Sequence, residues 1–154
     1  MTNHRKLARG FTLMELLIAM AIGLTMTAIA VPIVQSTMRI LRLNGAVASA
    51  SGAISGARYQ AIMHGYPYAV AFNKNTTSYQ LSNEPGGAPA AFVNVGNSIP
   101  LSGSSGVLLN ASTTLQFNPN GTVTATTGAM TFTITYLGLV KTITVSGVGH
   151  VQVQ

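Results

Sequence analysis

Cysteine and aspartate are missing from this sequence altogether, and glutamate occurs only at Glu15 and Glu84. Without cysteine there is neither a disulfide framework nor a thiolate metal site, and bridges give no sign of the compartment. One carboxylate lies in an apolar run and the other beside Pro85-Gly86, so a general acid and base pair has no raw material. His4, His64 and His150 stand far apart along the chain and each reads as a surface or packing residue, so no metal site and no cofactor is implied. Charge of either sign is scarce, at 6% of residues, while eight Lys and Arg give a formal net charge of +6. Three of these cations, Arg5, Lys6 and Arg9, fall in the first ten residues, and the remainder of the chain carries five basic side chains against two acidic ones, a net of +3. Those five are scattered singly, whereas phosphate recognition needs Lys and Arg gathered on one face, so a nucleic-acid partner is not expected. The length of 154 residues allows one compact domain besides whatever the apolar N-terminal region does on its own.

What the sequence does have is a long uncharged run. No residue from Leu16 to Met38 carries a charge, and LLIAMAIGLTMTAIAVPIV is long and apolar enough to cross a bilayer as a helix. It exceeds the seven to fifteen apolar residues of about the usual secretory signal, so it reads as a retained span. Arg5, Lys6 and Arg9 before it favour a cytoplasmic N-terminus, against a weaker opposite vote from Arg39 and Arg42. Two residues are odd for a plain anchor. Glu15 places a carboxylate at a cost of roughly 2.5–3.5 kcal/mol if it sits mid-membrane, so it needs a partner unless it snorkels to the interface. Pro32 removes a backbone donor and should kink or locally unwind the helix, or end the span.

The string RGFTLMELLIAMAIGLTMTAIAVP resembles the N-terminus of type IV pilins and type II secretion pseudopilins. The correspondence runs residue by residue: a short basic leader ends at Gly10, Phe11 is the first mature residue, Thr12-Leu13 follow, Glu15 is the fifth and Pro32 the twenty-second. The resemblance implies cleavage between Gly10 and Phe11 by prepilin peptidase at the cytoplasmic face, and N-methylation of the new Phe11 amine. It also supplies a partner for Glu15, namely the Phe11 amine of a neighbouring pilin or pseudopilin, paired where a lone charge would be costly. Glu15 and Pro32 are thereby assembly residues, and the surrounding medium is inner-membrane lipid.

Beyond Pro32, Ile33, Ile40, Leu43, Val47, Ala50, Ile54, Ala57 and Ala61 form one helical stripe, and Gly65-Tyr66-Pro67 is a helix stop. Gly45, Gly52 and Gly56 each cost about 1 kcal/mol relative to Ala, so packing against a sheet, rather than propensity, must hold this part of the helix. After Pro67 the period changes to two, predicting strands at 68–72, 78–81, 92–95, 114–117, 122–125, 130–136, 140–145 and 150–153. Turns are expected at 73–75, 85–87, 118–121 and 147–149, and the Gly- and Ser-rich stretch 96–106 as a surface loop. Ala57-Arg58, Ala61-Ile62 and Gly65, then Phe117-x-Pro119-x-Gly121 and the Gly149-led final strand, are similar to the pseudopilin H and FimT group. Asn120-Gly121-Thr122 also fits a glycosylation acceptor, a match that is common by chance.

The expectation is an α+β chain with the pilin fold, in which the first half of a long N-terminal helix spans the membrane and its second half packs on a C-terminal antiparallel β-sheet module. The divisions are a leader at 1–10, a transmembrane helix at 11–34, its periplasmic continuation at 35–65 and a β-rich globular domain at 66–154. The resemblance implies a non-enzymatic subunit of a pseudopilus, a minor pseudopilin similar to pseudopilin H, with prepilin peptidase and other pseudopilins as partners. The alternative is a FimT-like minor pilin of a type IV pilus linked to DNA uptake. DNA-binding relatives carry Gly-Arg-x-Arg in the final strand region, where this chain has Gly149-His150-Val151-Gln152. Neither His150 nor Gln152 offers the permanent, forked charge of arginine, so any DNA contact there should be weak and lost at physiological salt.

Overall fold

The computed structural model describes residues 10–86, 91–103 and 106–154, so His4, Arg5, Lys6 and Arg9 of the expected leader, and Gly87 of the 85–87 turn, lie outside the described residues. The chain divides into two compact units, Met1–Met38 and Arg39–Gln154. One α-helix, α1, runs from Leu13 to His64 and contributes to both.

In the first unit α1 buries nothing: every described residue there is exposed, including Leu13, Leu16, Ile22, Leu24 and Ile29. A helix that is apolar all round and has no protein against it is suited to a hydrocarbon surrounding. Four of its hydroxyls return to carbonyls of the helix itself. The hydroxyls of Thr25 and Thr27 donate to the carbonyls of Ile22 and Gly23, both at 2.8 Å. Those of Ser36 and Thr37 both donate to Ile33, at 2.8 and 3.0 Å. These four hydroxyls thereby meet the requirement that lipid imposes on polar groups. The local unwinding expected at Pro32 is not observed, because α1 continues through it without interruption. Proline withdraws only one donor from the ladder, and the turns on either side carry the helix past it.

In the second unit the helix buries Leu43, Ala46, Val47, Ala50, Ile54, Ala57 and Ala61. The expected stripe is therefore present from Leu43 onward and gains Ala46, but Ile33 and Ile40 are 60% and 50% exposed. Periodicity identifies a face and says nothing of where its cover begins. The helix ends as its chemistry requires: Gly65 takes a positive φ of 74°, and its N–H donates to the Ala61 carbonyl at 3.1 Å.

Ten strands follow among the described residues: β1 Tyr68–Asn73, β2 Ser78–Asn83, β3 Val93–Asn94, β4 Ile99–Pro100, β5 Val107–Leu109, β6 Thr113–Phe117, β7 Val123–Thr127, β8 Thr131–Tyr136, β9 Leu139–Val145 and β10 Val151–Val153. The first sheet has the order β3-β2-β1-β6-β7 with β4 also on β2, and the second the order β10-β9-β8-β5. All the pairings are antiparallel. The 96–106 stretch is not wholly a loop, since β4 pairs with β2 there and Leu101 is buried. β5 pairs with β8, and no strand was expected there. Two- and three-residue strands carry too few alternations to show a period, and Pro100 speaks against a strand except at an edge, where it lies.

Alternation is clean in β6 and β8, whose Thr113, Leu115, Phe117 and Phe132, Ile134, Tyr136 turn inward. Phe72 of the first sheet meets Phe132 of the second at 4.8 Å between ring centroids. The buried Thr113 hydroxyl is shared between the carbonyls of Thr127 and Ala129, at 3.0 and 2.8 Å. Between Tyr136 and Leu139 the chain reverses in two residues, Leu137 and Gly138, with φ of 47° and 85°. Two positive φ angles make this the tight hairpin turn that Asn-Gly favours, and leucine there costs roughly 1–2 kcal/mol. Because Phe72 and Phe132 join the two sheets, Phe72→Ala should lower stability by about 3–5 kcal/mol in denaturant unfolding of the detergent-solubilised chain. A loss below about 1 kcal/mol would mean that the sheets are held together elsewhere.

Candidate functional site

Residues 10–12 precede the helix in a non-helical conformation, and Phe11 is 84% exposed. A side chain placed on Gly10 would meet nothing within 4 Å, so the chain's own fold does not demand glycine there. Thr12 caps the helix: its Oγ1 accepts the N–H of Glu15 at 3.2 Å, and its carbonyl accepts that of Leu16 at 3.2 Å. Thr12-Leu13-Met14-Glu15 has the spacing of a capping box, a signal that sequence reasoning missed. Glu15 is thus in the first turn, where a carboxylate also favours the positive end of the helix dipole. Its side chain is exposed, and no ion pair forms with it among the described residues.

A second cluster brings together three motifs that are far apart in sequence. Arg58, on the buried side of α1, lies over two glycine turns. A side chain on Gly149 would come within 2.6 Å of Arg58 Cδ and 2.9 Å of its Nε, and one on Gly121 would meet Arg58 Nη2 at 3.7 Å. Both glycines have positive φ, 81° for Gly121 and 75° for Gly149. Their N–H groups close the turns by donating to the carbonyls of Asn118 at 2.9 Å and Ser146 at 2.8 Å. Asn120 is occupied within its own turn, its Oδ1 accepting from Thr122 N–H at 3.1 Å and from Thr122 Oγ1 at 2.7 Å. The two turns are linked where Val123 N–H donates to the Gly147 carbonyl at 2.8 Å, tying β7 of the first sheet to the approach of β10 in the second. Arg58 Nε is buried without a hydrogen-bond partner, so this side chain is held by packing of its stem rather than by its charge.

His150 and Gln152 are both exposed. The His150 N–H donates to Ser146 Oγ at 3.0 Å, and Gln152 pairs with Thr144 across the β9–β10 ladder. The structure therefore places one guanidinium, that of Arg58, against the glycine that precedes His150, and its Nε is turned inward. His64 lies apart, exposed, 3.0 Å from Gln60 Oε1 and stacked on Tyr66 and Tyr68. The Tyr68 hydroxyl beside it raises the Tyr66 phenol above its ordinary value, with desolvation adding to the effect. No group of three or more metal-binding side chains occurs among the described residues.

A long apolar N-terminal helix, uncovered at first and then packed on antiparallel sheets, defines a pilin-like protein. Residues 5–31 match the prokaryotic N-terminal methylation motif, and residues 46–149 match the type II transport protein GspH. The second match covers more than half of the chain, and the chain belongs to the GspH family. No curated protein and no solved structure shows significant similarity to it. The family is one of structural pseudopilins, not enzymes, and the methylation motif implies processing by prepilin peptidase and assembly with other pilins. The long apolar helix fits anchoring in the inner membrane.

The Arg58 cluster makes a test of packing possible. Gly149→Ala should cost about 1–3 kcal/mol, because the added carbon meets Arg58 and the backbone keeps a positive φ. Arg58→Ala in the same chain should return the steric part and leave the backbone part, as read from paired unfolding midpoints; equal losses in both chains would place the clash elsewhere.

Proposed function

We propose that this chain is a minor pseudopilin of a type II secretion system, a structural subunit that helps to form or cap the pseudopilus. The observation that carries this reading is the order of two matches along the chain: the helical part of the methylation-motif match, residues 13–31, is uncovered, and the GspH match at 46–149 begins just past Leu43, where α1 becomes covered. The chain is made as a precursor, cut between Gly10 and Phe11 and methylated at the Phe11 amine. Residues 11–34 span the inner membrane with the N-terminus cytoplasmic, and residues 35–154 lie in the periplasm. Because glycine at position 10 serves no local fold, its smallness answers to the peptidase that reads it. A FimT-like role in DNA uptake is the alternative, and the absence of arginine at the exposed positions 150 and 152 weighs against it.

Mass spectrometry of the protein purified from membranes with active peptidase should find N-methylated Phe11 as the first residue. Recovery of the Met1 form alone would overturn the processing assignment.

Glu15 is the assembly residue. In the filament its carboxylate pairs with the Phe11 amine of a neighbour, and breaking such a buried pair costs about 3–5 kcal/mol. Glu15→Leu should therefore insert as well as the wild type or better, yet be lost from pulldowns with the other pseudopilins. Wild-type recovery would reduce Glu15 to its helix-capping position beside Thr12. Recovery of the wild-type chain with type IV pilus subunits alone would favour the FimT-like reading.

A further inference from the structure

The outward positions of the second sheet are polar except at one end. Thr131, Thr133, Thr142 and Thr144 occupy the outer face of β8 and β9 along most of their length. Toward the hairpin turn the pattern breaks. Leu108 of β5 is opposite Thr135, and Thr135 is opposite Val140, which sets two apolar side chains on the outer face, 60% and 55% exposed. Leu137 in the turn itself is 61% exposed, and Leu139 is 37% exposed. Packing does not explain Leu137, which leaves its side chain in solvent while holding a φ of 47° that favours Asn or Gly. A strained position with an exposed apolar side chain points to a use outside the folded chain.

The location says what that use is. Tyr136, next to the turn, accepts a hydrogen bond from Arg42 Nη1 at 2.7 Å. Arg42 stands only four positions in sequence after Met38, the residue that closes the uncharged run. Arg39 and Arg42 supply cations at this end of the unit, and Lys141 follows Val140. The single carboxylate side chain of the second unit, Glu84, is at the other end, beyond the helix stop, where its N–H donates to the Pro67 carbonyl at 3.0 Å. Apolar tips rimmed by Arg and Lys fit an interface of acyl chains and anionic headgroups.

We propose that the Leu137–Gly138 hairpin, with Leu108 and Val140 behind it, dips into the membrane surface, where Arg39, Arg42 and Lys141 meet anionic lipid headgroups. The contact orients the globular unit on the bilayer before the subunit enters a filament, and assembly must break it. The proposal rests on the reading of 11–34 as a membrane span, and its test separates the two.

The sequence contains no cysteine, so single labels carry no background. The full chain is reconstituted into vesicles of phosphatidylcholine and phosphatidylglycerol that contain lipids bearing a collisional quencher either just below the headgroup, to read positions 137, 140 and 148, or near the acyl terminus, to read position 22. A fluorescent label is attached through Leu137→Cys or Val140→Cys, through Ile22→Cys in the span, or through Val148→Cys in the exposed turn at the far end of the sheet. Quenching at 137 and 140 should exceed that at 148 several-fold, and should fall at least twofold when phosphatidylglycerol is omitted or when Arg39 and Arg42 are replaced by Gln. Strong quenching at 22 with 137 no different from 148 would overturn the hairpin contact and leave the span intact. Absence of quenching at 22 and 137 alike would overturn both. Protection of 137 from aqueous iodide without lipid quenching would assign the tip to a second copy of the chain and likewise sink the proposal. Leu137→Asn should raise the Tm by a few degrees, since Asn suits the turn, while lowering quenching at Val140→Cys. A fall in Tm would make Leu137 a packing residue and contradict the assignment.

Discussion

Everything in the globular unit depends on how closely α1 approaches the sheets. Ala46, Ala50, Ile54 and Ala61 are fully buried and Ala57 is 1% exposed, so the helix backbone itself, with little side chain between, forms one wall of the core. Large residues on the sheet side fill the space: Phe72, Phe117, Phe132, Leu115, Ile134 and Ile143. The division is physically sensible. A helix with intervening glycines would fray if left alone, but its small buried face permits many close dispersion contacts per turn, and those contacts hold it. The same closeness brings Arg58 onto Gly121 and Gly149, so the glycines of the two turns are fixed by the helix that lies over them.

The same helix answers to two solvents. From Gly10 to Met38 no side chain is covered, and Thr and Ser survive in the helix there because their hydroxyls return to carbonyls one turn back. From Leu43 the buried positions keep to one face and most of the others are glycine, serine, alanine and polar residues, until Tyr59, Ile62 and Met63 stand exposed near the helix end. The change of pattern is what a chain needs when its surroundings pass from hydrocarbon to water. Arg39 and Arg42 fall at that change, the first charges after Glu15.

Scarcity of charge shapes the rest. With two carboxylate side chains in the sequence, no ion-pair network orders the sheets among the described residues. Threonine hydroxyls, asparagine side chains and glycine turns do that work, as in the Asn118–Thr122 turn and the Thr113 bond to the neighbouring turn carbonyls. A structural subunit that presents shape and backbone, rather than reactive side chains, is what such a composition supports.

The long helix, its stop at Gly65, the antiparallel class and most of the longer strands were legible in the sequence because each rests on short-range physics: uncharged length, a left-handed glycine, and alternation over five residues or more. The same holds for the resemblance at the N-terminus, where the informative residues are consecutive. Other features belong to tertiary structure. That Ile33 and Ile40 stay exposed depends on where cover begins, and the passage of α1 through Pro32 depends on the turns around it. The short strands β4 and β5 exist only through pairing with β2 and β8. The meeting of Arg58 with Gly121 and Gly149, and of Leu108 with the Leu137–Val140 hairpin at one end, joins residues distant in the sequence. Sequence by itself determined the elements and the solvent each part faces, because propensity and transfer free energy act locally; only the closing of sheets on the helix decided which side chains became neighbours, because that depends on the register of strands across the whole domain.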